Sequence, residues 1–138
     1  GAVLPHLKRW SVVHANEMRY GEEARERYGD AAVDASNDRL LDMSDDEWAS
    51  KEQLENAIID QLGVVLKNGS ADCTEARELA EIHAQWIRMQ WGEGAYIKEA
   101  HKALAQGYLA DPRFIDYYDS RAGKGATELL VEAIENFV

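Results

Sequence analysis

The sequence predicts an all-α protein, a single domain of six or seven helices, on three observations. Apolar residues recur at a spacing of roughly 3.6 in several segments. Two of those segments open on Ser or Asp followed three residues later by Glu, the pattern of a capping box. No segment alternates with period 2 for long enough to make a strand. A chain of 138 residues can bury one core but not two. With 46% hydrophobic and 30% charged residues, Gly 10 and Pro 2, it has the composition of a globular protein and not of a low-complexity one.

Taken in order, residues 1–16 are mildly basic and apolar without a clear period, and are read as a linker or arm ahead of a domain spanning 17–138. Glu17 to Tyr28, "EMRYGEEARERY", is charge-rich and helix-prone. Gly29 and Asp30 end it and cap a second short helix to about Leu41. Ser44-Asp45-Asp46-Glu47 is a capping box, because the hydroxyl and the carboxylate can each satisfy the other residue's exposed amide. The long helix it opens carries Trp48, Leu54, Ile58, Leu62 and Val65 on one stripe and stops at Asn68-Gly69. Asn68-Gly69-Ser70 also fits a glycosylation acceptor, but without an export signal it reads as a helix stop.

Asp72-Cys73-Thr74-Glu75 is predicted as a second capping box, ahead of a helix with Ala76, Leu79, Ala80, His83, Trp86, Ile87 and Gln90 inward, ending near Gly92-Glu93-Gly94. The next helix places Ile97, Ala100, His101, Leu104, Ala105 and Tyr108 on one face and breaks at Asp111-Pro112, an N-cap followed by proline in the first helical position. A short aromatic helix follows with Phe114, Tyr117 and Tyr118. After Gly123-Lys124-Gly125 the last helix turns Leu129, Leu130, Ala133, Ile134 and Phe137 inward.

Charge and composition narrow the function classes. Asp+Glu 26 against Lys+Arg 15 gives a formal charge of -11, a surface that repels phosphate, so DNA contact would have to come from elsewhere. The apolar runs are shorter than the ~20 residues that span a bilayer and "GAVLPHLKRW" lacks a signal-peptide core, so no membrane partner and a cytoplasmic location are expected. The single Cys73 agrees with a reducing compartment.

Catalytic and cofactor chemistry finds little support. Gly92-Glu93-Gly94 and Gly123-Lys124-Gly125 lack the third glycine of a dinucleotide loop and the Gly-Lys-Ser/Thr ending of a P-loop, and no strand precedes them. A di-metal bundle needs Glu-x-x-His on two helices, whereas Glu81 and Glu99 sit two residues before their histidines, on another face. Cys73 has no local histidine to act as its base. Neither an enzyme nor a cofactor or metal is expected. What stands out is His83 and His101, each on the apolar stripe of a different helix, with Trp86, Trp91, Tyr96 and Tyr108 nearby. They fit two satisfied core histidines. Spacing alone favours that reading; the alternative is an apolar cleft with a few converging polar groups for a flat, amide-rich ligand. An inward histidine in an all-α domain would also suit haem, though no pattern singles out a haem ligand.

"YGEEARERYGD" (20–30), Ser36, "MSDDEW" (43–48), "EARELAEIHAQWI" (75–87), "EAHKALAQGYLADPRF" (99–114) and "LLVEAIENF" (129–137) resemble the TipAS antibiotic-recognition domain in order and spacing. The set includes Glu-Arg-aromatic-Gly, then Asp-Glu-Trp, then the helix with His83, then Tyr-x-x-Asp-x-Arg-Phe at Tyr108, Asp111, Arg113 and Phe114. The resemblance implies a globin-like fold that binds thiopeptides and other bulky drug-like molecules. It also implies the sensor half of a homodimeric MerR-type activator, whose N-terminal helix-turn-helix, absent from this chain, would contact DNA. Two departures are visible. Ala103 stands where the best-known member carries the thiol that captures thiopeptides, and Trp91 to Ile97 is two residues longer than the family pattern.

The reading reached from the residues and the resemblance together is a non-enzymatic effector-binding domain. Its expected ligand-binding residues are His83, Trp86, Ile87, Tyr96, His101, Leu104, Tyr108, Phe114 and Tyr117, the aromatic rings supplying area and the imidazoles orientation. Glu17 to Leu41 carries little apolar surface per charged residue and is expected to be marginal alone and to order over a bound ligand. The rivals are a stand-alone drug-sequestering protein and a helical bundle for protein-protein contact.

Overall fold

The computed structural model describes residues 3–92 and 94–138; Gly1 and Ala2 of the predicted arm and Glu93 of the predicted turn lie outside the described residues. The elements are α1 (Val3–Asn16), a π-helical turn (Glu17–Gly21), α2 (Glu22–Tyr28), α3 (Asp30–Asp42), α4 (Asp45–Asn68), α5 (Thr74–Trp91), α6 (Lys98–Ala110), α7 (Pro112–Ala122) and α8 (Ala126–Phe137). The described residues are thus all-α, with no strand. They hold eight α-helices where six or seven are predicted. The additional one is α1, on the stretch whose apolar residues have no clear period.

The chain divides into two compact units, residues 1–50 and 51–138. In the first, Val13, Leu40, Met43 and Trp48 are buried, and α2 buries no residue. Polar contacts take a large share of the load. Arg9 is itself buried, with its guanidinium on the Asp45 carboxylate and 5.9 Å over the Trp48 ring. The Glu17 carboxylate folds over Gly21, where a Cβ would collide with it, and accepts hydrogen bonds from Arg25 and, at 2.8 Å, from Asn37. Arg25 also reaches Asp34 at 2.8 Å and Asp30 at 3.2 Å. Those three carboxylates raise the Arg25 pKa further above its already high ordinary value. Asp30 therefore does not cap α3 as predicted. Gly29 occupies the cap with φ 86, a region only glycine enters freely, and Asp30 turns its carboxylate to Arg25.

The capping box at Ser44 forms as predicted: the Glu47 N–H donates to Ser44 Oγ and the Ser44 N–H to Glu47 Oε1, both at 3.1 Å. The Ser44 backbone N–H and then the Ser44 hydroxyl, acting on the carboxylate itself, hold the Glu47 carboxyl below its ordinary pKa. The second predicted box does not form. Cys73, not Asp72, is the N-cap of α5, and its thiol points at the Ser70 carbonyl, 3.4 Å away. The helix starts one residue later than the pattern requires, so Asp72 and Glu75 fall out of register.

The second unit is built on α8, which packs closely against α5, α6 and α7. Its core includes Ile58, Leu62, Val65, Leu79, Leu130, Val131 and Ile134, with Tyr108 and Tyr118. Asp111 caps α7 as predicted, accepting the Arg113 N–H at 3.0 Å ahead of Pro112. Asp119 ties α7 to the start of α8 by accepting the Thr127 N–H at 2.9 Å, the Thr127 hydroxyl at 2.7 Å and the Gly125 N–H at 3.2 Å. Burial raises the Asp119 pKa, but these bonds together outweigh it and leave the carboxyl below its ordinary range. Ile97, predicted to face inward, is 56% exposed, because it is the extended N-cap residue of α6 and not part of its stripe.

Candidate functional site

Among the described residues, close backbone packing joins α5 and α6 each to α8 more than to one another. What spans them is a pair of imidazoles. His83 faces inward on α5 because Leu79, Ala80, Ala84 and Ile87 share its stripe, and His101 does so on α6 with Ala105 and Tyr108. Both histidines are completely buried. His83 Nδ1 lies 2.7 Å from His101 Nε2, with the rings 7° from coplanar and their centroids 4.9 Å apart. That combination is an edge-to-edge hydrogen bond in the ring plane, not a face-to-face stack.

The remaining ring nitrogens are also engaged. His101 Nδ1 is 2.8 Å from the Tyr96 hydroxyl, and His83 Nε2 is 3.3 Å from the Tyr108 hydroxyl. Tyr108 in turn hydrogen-bonds Tyr118. The five side chains form a continuous line from half-buried Tyr96 to the core at Tyr118. Burial, reinforced by His101, pushes the His83 pKa down to about 3; burial and then Arg88 push His101 down to about 4. Both rings are therefore neutral near pH 7, each with one N–H and one bare nitrogen. Burial raises the Tyr96 pKa against an opposing pull from Arg88, and raises that of Tyr118 with help from Tyr108. A line of neutral groups, each able to donate and accept, results.

Of the nine predicted site residues, His83, Ile87, His101 and Tyr108 are buried, and Trp86, Tyr96, Leu104, Phe114 and Tyr117 are half-buried. The half-buried set except Tyr96 packs against the core of the second unit from α5, α6 and α7. Trp86 meets His83 edge-on with centroids 5.4 Å apart, and Phe114 lies 4.9 Å from Tyr108. The Trp86 indole N–H is buried and finds no acceptor among the described residues. A buried donor left unpaired costs roughly 1–3 kcal/mol, so such groups are rare without a reason.

Two participants are not legible from spacing. Arg88 lies 4.4 Å over the Tyr96 ring, yet it is on a different face of α5 from His83 and gives no periodic signal. Tyr118 ends the hydrogen-bonded line, although its spacing marks it only as one more aromatic of α7. Ala103 is exposed on α6, and Cys73 is half-buried at the start of α5. Among the described residues no group of three or more His, Cys, Asp or Glu is placed to hold a metal, and no helix is long and apolar enough to cross a membrane.

Comparison with curated proteins and with solved structures finds no match. The model of one family, the TipAS antibiotic-recognition domain, matches residues 20–137, which takes in α5 to α8 and nearly all the residues just described. The match covers most of the chain, and on that ground the protein belongs to the TipAS antibiotic-recognition domain family.

Proposed function

We propose that this domain binds a bulky, largely apolar antibiotic-like molecule, such as a thiopeptide, reversibly and without chemical conversion. On this reading it is the effector-sensing part of a cytoplasmic, homodimeric MerR-type regulator with the family's globin-like fold, and DNA is contacted by a separate N-terminal domain. The observation that carries the reading is the family match, supported by a set of half-buried aromatic side chains and a buried, unpaired indole N–H at Trp86. Trp86, Tyr96, Leu104, Phe114 and Tyr117 supply contact area. His83, His101, Tyr108 and Ile87 hold those rings in position from behind. Alanine at 103 favours non-covalent capture, since a methyl group cannot add to an electrophile.

Ligand binding is coupled to ordering of Glu17 to Leu41. Support comes from α2 and α3, where Leu40 is the only buried residue and exposed ion pairs do much of the holding. The test is a thermal and chemical unfolding series with thiopeptides. A ligand at about 100 times its Kd stabilises by about 2.7 kcal/mol, and limited proteolysis within 17–41 slows when it is present. Trp86→Phe deletes the donor and leaves a smaller ring, so it weakens binding about tenfold, with a modest loss of stability from the packing given up against the core. Absence of stabilisation by any thiopeptide or other hydrophobic antibiotic would reject the reading.

A further inference from the structure

We propose that Tyr96, His101, His83, Tyr108 and Tyr118 form a directional hydrogen-bond relay, through which an acceptor on a ligand at the Tyr96 hydroxyl sets the tautomer of both buried imidazoles. The ligand half of this inference rests on the binding function proposed above. The relay half does not.

The geometry leaves two consistent states. Between His83 Nδ1 and His101 Nε2, 2.7 Å apart, there is room for one proton. In the inward state the Tyr96 hydroxyl donates to His101 Nδ1, His101 Nε2–H donates to His83 Nδ1, and His83 Nε2–H donates to the Tyr108 oxygen. In the outward state every donor is reversed: Tyr108 to His83 Nε2, His83 Nδ1–H to His101 Nε2, and His101 Nδ1–H to the Tyr96 oxygen. Both histidines carry Nε2–H in the first state and Nδ1–H in the second. Any mixed arrangement opposes two N–H groups or two lone pairs at 2.7 Å, where complete burial keeps water from relieving the conflict. Each ring keeps one proton throughout. A reversal takes one from water at one nitrogen and returns one from the other while the pair is transiently open, so nothing is gained or lost.

Direction is then decided at the ends. Tyr96 is half-buried, and among the described residues the only hydrogen bond of its hydroxyl is to the His101 imidazole. Arg88, over the same ring, adds positive charge that favours electron-rich groups there. A neutral acceptor, an amide carbonyl or an azole nitrogen, takes the Tyr96 proton and selects the outward state.

The experiment is nitrogen-15 NMR of the imidazole rings in the full chain, in which protonated and bare nitrogens are distinguished by chemical shift. Tyr96→Phe leaves His101 Nδ1 without a partner. A buried bare nitrogen is tolerated better than a buried unpaired N–H, so both rings should become Nε2–H. Tyr108→Phe strips His83 Nε2 instead, and both rings should become Nδ1–H. The deciding signals come from the ring remote from each substitution: His83 in Tyr96→Phe and His101 in Tyr108→Phe. Tyr96→Phe, at the half-buried end, suffices if Tyr108→Phe does not fold. A remote ring with the same tautomer in both variants, or an Nδ1–H His83 in Tyr96→Phe, overturns the relay. With a thiopeptide bound to the unaltered protein, both rings are expected as Nδ1–H. An Nε2–H pair in that complex, or no complex at all, overturns the ligand half and leaves the variant result standing.

Discussion

The two units stabilise helices by different means. In residues 51–138, α8 lies in a dense apolar core, and even the polar groups drawn inside it, His83, His101 and Thr127, are satisfied by other side chains. In residues 1–50, α2 buries nothing, and the Glu17, Arg25, Asp30 and Asp34 charges tie the short helices together near the surface. Apolar burial contributes roughly 25 cal/mol per Å², whereas an exposed ion pair contributes ~0–1 kcal/mol and is screened by salt. The first unit is therefore the part of the chain that can order and disorder at small cost, which is what a ligand-sensitive segment requires.

The sharpest way to break this contrast is a core truncation. Leu130→Ala, at a fully buried position on α8, should lower global stability by about 3 kcal/mol in denaturant unfolding. A loss below about 1 kcal/mol would mean that the second unit is not the rigid one.

Next in size is acidification, acting through the imidazole pair. His83 is faced by His101, Trp86 and Tyr108, and His101 by His83, Tyr96 and Arg88, so among the described residues no carboxylate faces either ring to hold a proton on it. Their folded pKa values lie below the unfolded value near 6.5. In that interval the unfolded chain binds more protons, so stability is full above about pH 7 and is lost as pH falls. From pH 6.5 to 5 the loss should be about 3 kcal/mol for the two rings together. The depressed carboxyls of Glu47 and Asp119 act at lower pH, from the ordinary carboxylate range downward. Unfolding curves that superimpose between pH 6.5 and 5 would contradict burial of the pair.

Smaller still is the cap where α4 begins. Ser44→Ala removes the hydroxyl that accepts the Glu47 N–H and should cost about 1 kcal/mol. The smallest expected effect, and the most local, is that of Arg25→Ala. Amide exchange in α2 and α3 should accelerate, 0.5 M salt should mimic the change in the unaltered protein, and α5 to α8 should be untouched. Faster exchange in α8 would show that the two units share one cooperative transition.

Much of this was legible along the chain. The all-α class, the capping box at Ser44, the Gly69 stop with φ 70 and the Asp111-Pro112 start of α7 all depend on groups a few residues apart. So does the inward stripe of His83 and Ile87, because helical periodicity alone fixes which residues share a face. Reading failed where the signal was not local. Residues 3–16 form α1 without a periodic stripe, and α5 begins one residue past its apparent box.

By itself, then, the sequence determined the all-α class, most of the helices, two imidazoles on inward faces and a family resemblance. Only the tertiary structure decided that those imidazoles meet each other, that Tyr96 and Tyr108 complete their hydrogen bonds, and that the Trp86 N–H is left over. The physical reason is that helix periodicity fixes direction about one axis, while a partner across two helices depends on their separation and rotation. Those are set by how α5 and α6 each pack on α8, a long-range balance that no spacing within either helix encodes.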